Sequence, residues 1–121
     1  MGLFDIFSKN EASTYKWNFI ESTEALSFVI EQSENKTVVL VKHSTRCGIS
    51  ASVLRKLEAK IAESEYPNHL FYMIKVIENR DVSNKITSKF GVQHESPQLL
   101  VLKNKAVQQH GSHYNMLEIN F

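Results

Sequence analysis

The apolar, β-branched run at residues 37–42 limits the fold of this chain more than any other feature. Such a run is typical of a strand that is buried on both faces of a parallel sheet. Apolar residues then recur at every fourth position: Ile49, Val53, Leu57 and Ile61. This spacing predicts a helix over about residues 48–64, with one apolar stripe and a solvated opposite face. We expect its charged residues on the solvated face: Arg55, Lys56, Glu58, Lys60 and Glu63.

Cys47, the only cysteine of the chain, stands where the strand pattern changes to the helix pattern. Ser44 and Thr45 are natural N-cap residues just before it, and Arg46 adds a cation. A helix N-terminus favours thiolate over thiol by roughly 0.3–2 kcal/mol, through its unpaired N–H groups and its dipole. This is about one pKa unit, enough to bring an ordinary thiol toward neutrality. Cys47 is therefore the candidate nucleophile.

The alternative interpretation of Cys47 is structural. A lone cysteine in an intracellular protein is most often a small buried hydrophobic residue. The neighbours of Cys47, however, are polar and cationic, and they stand at a strand-to-helix turn. This position favours a reactive thiol.

Composition and charge exclude several classes of protein. A chain of 121 residues, 42% of them hydrophobic, predicts one core. The formal net charge of +1 gives no electrostatic reason to bind nucleic acid or an anionic membrane. The first residues lack the pattern of a signal peptide, and no run has the length of a membrane span. We expect a cytoplasmic protein without nucleic-acid or membrane partners and, with one cysteine, without an intramolecular disulfide.

The remaining patterns predict an N-terminal arm at residues 1–14 and a single domain at residues 15–121. Within the domain, strands and helices alternate and a hairpin follows. We predict strands at 15–20, 37–42, 70–77, 99–102 and 106–109, and helices after Ser22 or Thr23, at 48–64, around Val82, Ile86 and Phe90 up to Gly91, and around 116–119. Alternating units indicate parallel pairing, whereas the adjacent late strands indicate an antiparallel pair.

This order of elements resembles the thioredoxin fold, in which a cysteine begins the second helix and a proline opens the strand after the third helix. The resemblance implies an α/β protein with a central mixed sheet of about five strands flanked by helices. Three local motifs are similar to those of the monothiol bacilliredoxin family. They are residues 43–47 (His-Ser-Thr-Arg-Cys) with Ile49-Ser50, residues 94–98 (His-Glu-Ser-Pro-Gln), and Ser112-His113 followed by an aromatic residue. The similarity begins at about Trp17.

The resemblance implies a thiol-disulfide oxidoreductase that removes bacillithiol from proteins. Cys47 would attack the mixed disulfide, and an external thiol would resolve the intermediate, because the chain has no second cysteine. Bacillithiol would be a co-substrate, and S-bacillithiolated proteins would be the partners. Arg46 would attract the acidic groups of bacillithiol. An equal alternative is that Arg46 is a solvated surface residue. We expect no bound cofactor, no metal, and a monomer.

The same resemblance suggests further site residues. A cis Ser96–Pro97 bond would bring the backbone of Ser96 beside the sulfur, as an edge for an extended thiol substrate. His94 would line the groove next to Pro97, with a turn histidine as the alternative. Three other residues are candidates for the site, each with a structural alternative such as packing or capping: His43, Ser112 and His113.

One residue departs from the family pattern, because Gly48 stands where bacilliredoxins have proline. Glycine leaves an extra N–H free to approach the sulfur but makes the turn more flexible. Residues 47–50 (Cys-Gly-Ile-Ser) also resemble the Cys-Gly-Phe-Ser signature of monothiol glutaredoxins, some of which carry an iron–sulfur cluster. The glutathione-binding Gly-Gly element of that family has no counterpart after Pro97-Gln98. A cluster carrier and a non-catalytic thioredoxin-like adaptor are the alternatives.

Overall fold

The computed structural model describes residues 16–46 and 48–121. In these residues four strands alternate with three α-helices, and a fifth strand and a 3-10 helix follow. The elements are β1 (Asn18–Phe19), α1 (Thr23–Gln32), β2 (Thr37–His43), α2 (Gly48–Ala62), β3 (His69–Lys75), α3 (Arg80–Phe90), β4 (Gln98–Lys103), β5 (Ala106–Ser112) and the 3-10 helix (His113–Glu118). The arm expected at residues 1–14 lies outside the described residues.

The strands form one mixed sheet in the order β1-β3-β2-β4-β5. β3 pairs in parallel with both β1 and β2, whereas β4 pairs antiparallel with β2 and with β5. Every residue of β2 is buried, as its continuous apolar run predicts. The predicted mixture of parallel and antiparallel pairs is therefore confirmed.

Helices cover both faces of the sheet, and the alternation of β2 divides the core between them. Val39 and Val41 pack with α2 and the 3-10 helix, in a cluster that includes Leu57 and Met116. Val38 and Leu40 belong to the other cluster, with apolar residues of α1 and α3. Successive side chains of a strand point to opposite faces, so each face of β2 contributes to a separate core.

Local signals set several of the boundaries as expected. Ser22 is the N-cap of α1, and its Oγ accepts a hydrogen bond from the Ala25 N–H at 3.1 Å. Gly91 ends α3 in the left-handed conformation, with φ of 68°. Asn104 and Lys105 both have positive φ, at 51° and 63°, which suits a tight turn between β4 and β5.

The apolar stripe of α2 differs from the prediction. Ile49 is 48% exposed, whereas Glu58, expected on the solvated face, is 6% exposed. A spacing of four residues advances by about 40° at each step in a helix of 3.6 residues per turn. Ile49 therefore lies outside the buried face of the helix. The buried residues of α2 are Ser50, Val53, Leu54, Leu57, Glu58 and Ile61. The carboxylate of Glu58 accepts a hydrogen bond from Trp17 Nε1 at 2.7 Å.

Other elements also differ from the prediction. The first strand has two residues, β3 ends at Lys75, and β5 continues to Ser112. The terminal helix is a 3-10 helix. No helix in the described ranges is long and apolar enough to cross a membrane.

The 3-10 helix holds the end of the chain against α2 through Met116, which has no exposed surface. We expect Met116→Ala to lower the free energy of unfolding by about 2–5 kcal/mol, because it leaves a cavity in the core. Urea denaturation measures this change. Asn115→Ala on the exposed side of the same helix is the control, and an equal loss in both variants would contradict the assigned packing.

Candidate active site

The predicted site lies at the carboxyl end of β2, where the central strand leads into α2. His43 is the last residue of β2, and Gly48 is the first residue of α2. Ser44, Thr45 and Arg46 connect them and become progressively more exposed along the chain. Cys47, the predicted nucleophile, lies outside the described residues. The geometry of the site is therefore that of the residues around it.

The N-cap role predicted for Ser44 and Thr45 is wrong. α2 begins at Gly48, so both residues precede the helix by too many positions to cap it. The Ser44 Oγ instead accepts a long hydrogen bond from the Arg46 N–H, at 3.4 Å. A serine hydroxyl that bonds the N–H two residues later stabilises a turn and competes with helix capping.

Ser50 links the end of β2 to the first turn of α2. Its Oγ lies 2.9 Å from Nδ1 of His43 and accepts the Ser44 N–H at 3.2 Å. Ser50 has no exposed surface, and His43 is 9% exposed. The single hydroxyl therefore ties together both ends of the segment that contains Cys47. The sequence patterns gave Ser50 no role of its own, although its position three residues after Cys47 was a signal.

The environment of His43 favours its neutral form. Burial lowers the pKa of the ring; the nearby Glu78 raises this pKa, and Lys75 lowers it further. A neutral, buried ring bonded to Ser50 fits the packing alternative given above for His43. A role for His43 in catalysis stays a prediction.

The exposed part of the segment is cationic and open. Thr45, Arg46 and Gly48 are all exposed. A Cβ added at Gly48 would have no heavy atom within 4 Å, among the described residues. Crowding therefore does not require glycine at this position. Any effect of the missing family proline comes from the N–H group and the backbone freedom of Gly48.

The Ser96–Pro97 peptide bond is cis, as the resemblance implies. The carbonyl oxygen of Pro97 accepts a hydrogen bond from the His113 N–H at 2.9 Å, and Ser112 is the strand partner of Gln98. The structure thus brings Ser112 and His113 next to Pro97, although they are distant in sequence. Their participation in the site stays a prediction, as does that of Ser96.

His94 is exposed, but one of its ring nitrogens contacts the interior. Nδ1 lies 3.1 Å from Nζ of Lys42 on β2 and 3.2 Å from Oγ of Ser83 on α3. Burial, then the charges of Lys42 and Arg80, lower the pKa of His94, whereas Glu95 raises it. The ring is therefore anchored to β2 and α3. Its predicted place in the substrate groove is not tested by these contacts.

Lys42 is a second residue to which the sequence patterns gave no role. It has no exposed surface, and its Nζ donates to the Ser83 carbonyl oxygen at 3.2 Å and to Thr87 Oγ1 at 3.4 Å, besides contacting His94. No carboxylate of the described residues forms an ion pair with it. Burial lowers the pKa of Lys42 to about 8. A charged residue within an apolar run was the available signal.

The family comparison identifies a match over most of the chain. The model of the family described as monothiol bacilliredoxin BrxC matches residues 18–120. This range includes all three motifs quoted above and excludes the N-terminal arm.

The structural comparisons support the thioredoxin fold. A solved protein described as a candidate oxidoreductase with a thioredoxin fold has a TM-score of 0.72 and 29% identity, over 84% of this chain and 87% of that one. Thioredoxin of Fasciola hepatica has a TM-score of 0.68 and 18% identity, over 84% and 90% of the two chains. Thioredoxin of Trypanosoma brucei brucei has a TM-score of 0.65 and 20% identity, over 87% and 85%.

Replacing Lys42 with an apolar residue should stabilise the fold near neutral pH. The folded protein binds the Lys42 proton less tightly than the unfolded chain, whose lysine has its ordinary pKa of 10.5. Below pH 8 Lys42 is charged in both states, and its buried charge destabilises the fold in full. This destabilisation disappears as the pH rises toward 10.5, because Lys42 is then neutral in the folded protein and loses its proton in the unfolded chain as well. We expect Lys42→Met to raise the free energy of unfolding by roughly 1–3 kcal/mol at pH 7.

Urea denaturation of both proteins at pH 7 and pH 10.5 checks this prediction. The other titrating groups are common to both proteins, so their effects cancel in the difference. The advantage of the variant should shrink at the higher pH. A less stable variant, or a difference independent of pH, would contradict the assigned burial of the charge.

Removing the Ser50 hydroxyl should destabilise the end of β2. Ser50→Ala leaves the Ser44 N–H and the His43 ring without their partner, at a cost of about 1–3 kcal/mol. Chemical denaturation at pH 7 measures the loss. Ser88→Ala is the matched control, since that hydroxyl is exposed on α3. Equal stabilities of the two variants would show that the Ser50 bridge contributes nothing.

Proposed function

The chain belongs to the monothiol bacilliredoxin family, and from this premise we propose that it reduces mixed disulfides between bacillithiol and proteins, with Cys47 as the nucleophile. The family and the thioredoxin fold support thiol-disulfide oxidoreductase chemistry. The match across residues 18–120, which contains a single cysteine, is the observation that carries the proposal. The choice of bacillithiol as the thiol follows from the family alone.

The proposed reaction has two exchange steps. The Cys47 thiolate attacks the bacillithiol sulfur of the mixed disulfide, and the client cysteine leaves as a thiolate that takes up a proton. A second bacillithiol, also as thiolate, then attacks the bacillithiol sulfur held on Cys47. Oxidised bacillithiol leaves, and Cys47 returns as a thiolate. Each step forms one S–S bond and breaks one, so no further oxidant or reductant is needed.

The residues around Cys47 support thiolate chemistry. Gly48, which begins α2, follows Cys47 directly, so the unpaired N–H groups and the positive dipole of the first helical turn are next to this residue in the chain. Arg46 is an exposed cation on the other side. Both features favour a thiolate near neutral pH. Arg46 would also attract the acidic groups of bacillithiol.

The proline loop supports a role in holding the substrate. Ser96 is half-buried and directly precedes Pro97, whose carbonyl oxygen accepts a hydrogen bond from the His113 N–H. We assign the Ser96 backbone as the edge that pairs with the extended segment around the client disulfide. His94, Ser112 and His113 would border it. We further propose that the protein works as a monomer in the cytoplasm.

Replacing the nucleophile should abolish exchange. Cys47→Ser cannot form the mixed disulfide, so we expect no release of bacillithiol from a bacillithiolated peptide. Release of bacillithiol is followed by mass spectrometry. Thr45→Ser, an exposed neighbour that keeps its hydroxyl, is the control and should retain activity. Turnover by the Cys47→Ser variant would exclude the proposed mechanism.

The identity of the thiol can be tested with the intact protein. Reduced protein is exposed separately to oxidised bacillithiol and oxidised glutathione, and its mass is recorded while the alkylation rate of Cys47 is followed against pH. The expected result is a fast adduct with bacillithiol alone and an abundant thiolate near neutral pH. A glutathione adduct favours the glutaredoxin-like alternative. No adduct, with a thiol pKa above 8, favours the adaptor.

A further inference from the structure

Lys42 is fully buried, which is unfavourable for a charged side chain. Its side chain lies on the face of β2 that packs against α1 and α3, in line with Val38 and Leu40. Its three partners, Ser83, Thr87 and His94, include no carboxylate. A buried ammonium group without a counter-ion costs stability. Strongly perturbed lysines of this kind are found preferentially at functional sites.

The contact with His94 connects this lysine to the loop that carries Pro97. The loop, residues 91–97, joins α3 to β4. Four further contacts hold it. Ser83 Oγ lies 3.2 Å from His94 Nδ1, and three bonds of 2.9 Å join Gly91 N–H to Thr87 O, Gln98 Nε2 to Gln93 O, and His113 N–H to Pro97 O. Among these contacts of the described residues, only that between Lys42 and His94 joins two side chains that titrate.

In the observed position of the loop, two buried polar atoms at its carboxyl end lack a hydrogen-bond partner among the described residues. These atoms are Ser96 Oγ and Gln98 Oε1. Gln98 is 2% exposed and is the strand partner of Lys42. Each unsatisfied buried polar atom disfavours this position of the loop relative to one open to water. The remaining contacts therefore decide how firmly the loop is held.

We propose that Lys42 and His94 form a latch that holds residues 91–97, and with them Ser96 and Pro97, in the position that accepts the mixed-disulfide substrate. The inference deepens the proposed function and rests on it. Lys42 and His94 are positioning residues, because they act on the substrate edge through the loop. The latch consists of the Lys42 Nζ–H donated to His94 Nδ1.

The charges of the two groups limit the latch to a range of pH. Near neutral pH, Lys42 is protonated, since its pKa is about 8, and His94 is neutral, since its pKa lies below 6.5. The groups acting on the His94 ring are Lys42 from β2, Arg80 from α3 and Glu95 from the loop. Protonation of His94 in acid would remove its acceptor and place two cations 3.1 Å apart. Above pH 8 the bond would lose its charge and weaken.

Four variants separate the latch from general effects. Lys42→Met removes the donor and, by the prediction above, leaves a stable fold. His94→Leu removes the acceptor. His94→Asn keeps an acceptor, since the asparagine Oδ1 takes the position of the histidine Nδ1, but it does not titrate. Lys85→Met, at an exposed position of α3, is the control for the loss of one positive charge.

Amide hydrogen exchange of His113, whose N–H donates to the Pro97 carbonyl oxygen at the end of the loop, tests the latch without any substrate. We expect exchange to accelerate about tenfold at pH 7 in Lys42→Met and His94→Leu, because a charge-assisted hydrogen bond is lost. His94→Asn and Lys85→Met should exchange like the wild type. Unchanged exchange in Lys42→Met would overturn the proposal.

Substrate binding gives the second measurement. A peptide that carries a cysteine–bacillithiol disulfide is titrated against each protein, and the Cys47 alkylation rate reports the thiolate in the same samples. We expect a several-fold higher half-saturation concentration in Lys42→Met and His94→Leu, with alkylation unchanged. The wild-type value should also rise in acid, once His94 is protonated, whereas that of His94→Asn should not. Equal half-saturation in all variants would exclude an effect of the latch on the substrate.

The two measurements distinguish the failure of this inference from that of the proposed function. If the wild type reacts with alkylating agents but never with the bacillithiol peptide, the proposed substrate, a bacillithiol–protein mixed disulfide, is refuted. The exchange data would then decide whether the latch exists. A wild type that reacts with the peptide while Lys42→Met behaves identically would refute the latch and leave the proposed function intact.

Discussion

The burial of β2 on both faces is the constraint on which the rest of the structure depends. The strand pairs with β3 on one side and β4 on the other, and its side chains enter a separate core on each face. A strand in this position cannot move without opening both cores. Its carboxyl end is therefore a rigid support for the segment that contains Cys47.

The last two residues of β2 give this support its chemistry. Because successive side chains alternate, Lys42 faces the cluster with α1 and α3, and His43 faces α2. His43 contacts Ser50, which also binds the Ser44 N–H and so closes the cysteine segment. Lys42 contacts His94 in the proline loop. Two loops that are far apart in sequence are thus attached to neighbouring residues of one strand.

The sequence predicted the order and type of the elements because those follow from local patterns. It failed where partners are distant or where a spacing was approximated. Glu58 was misplaced because a four-residue spacing drifts around the helix, and its partner Trp17 lies 41 positions away. The burial of Lys42 depends on Ser83, Thr87 and His94, which no local pattern connects to β2. The residue types of Ser44 and Thr45 suggest a helix cap but do not show where the helix begins.

The two polar residues at the end of β2 also determine the register of the strand, which its apolar residues leave ambiguous. Residues 38–41 are Val, Val, Leu and Val, so a shift by one residue would exchange their faces while still burying apolar side chains. The same shift would turn Lys42 toward α2 and His43 toward α3. Lys42 would then lose Ser83 and His94, and His43 would lose Ser50, which leaves a buried charge and a buried ring without partners. These two residues therefore favour the observed register over one that the apolar residues alone would tolerate.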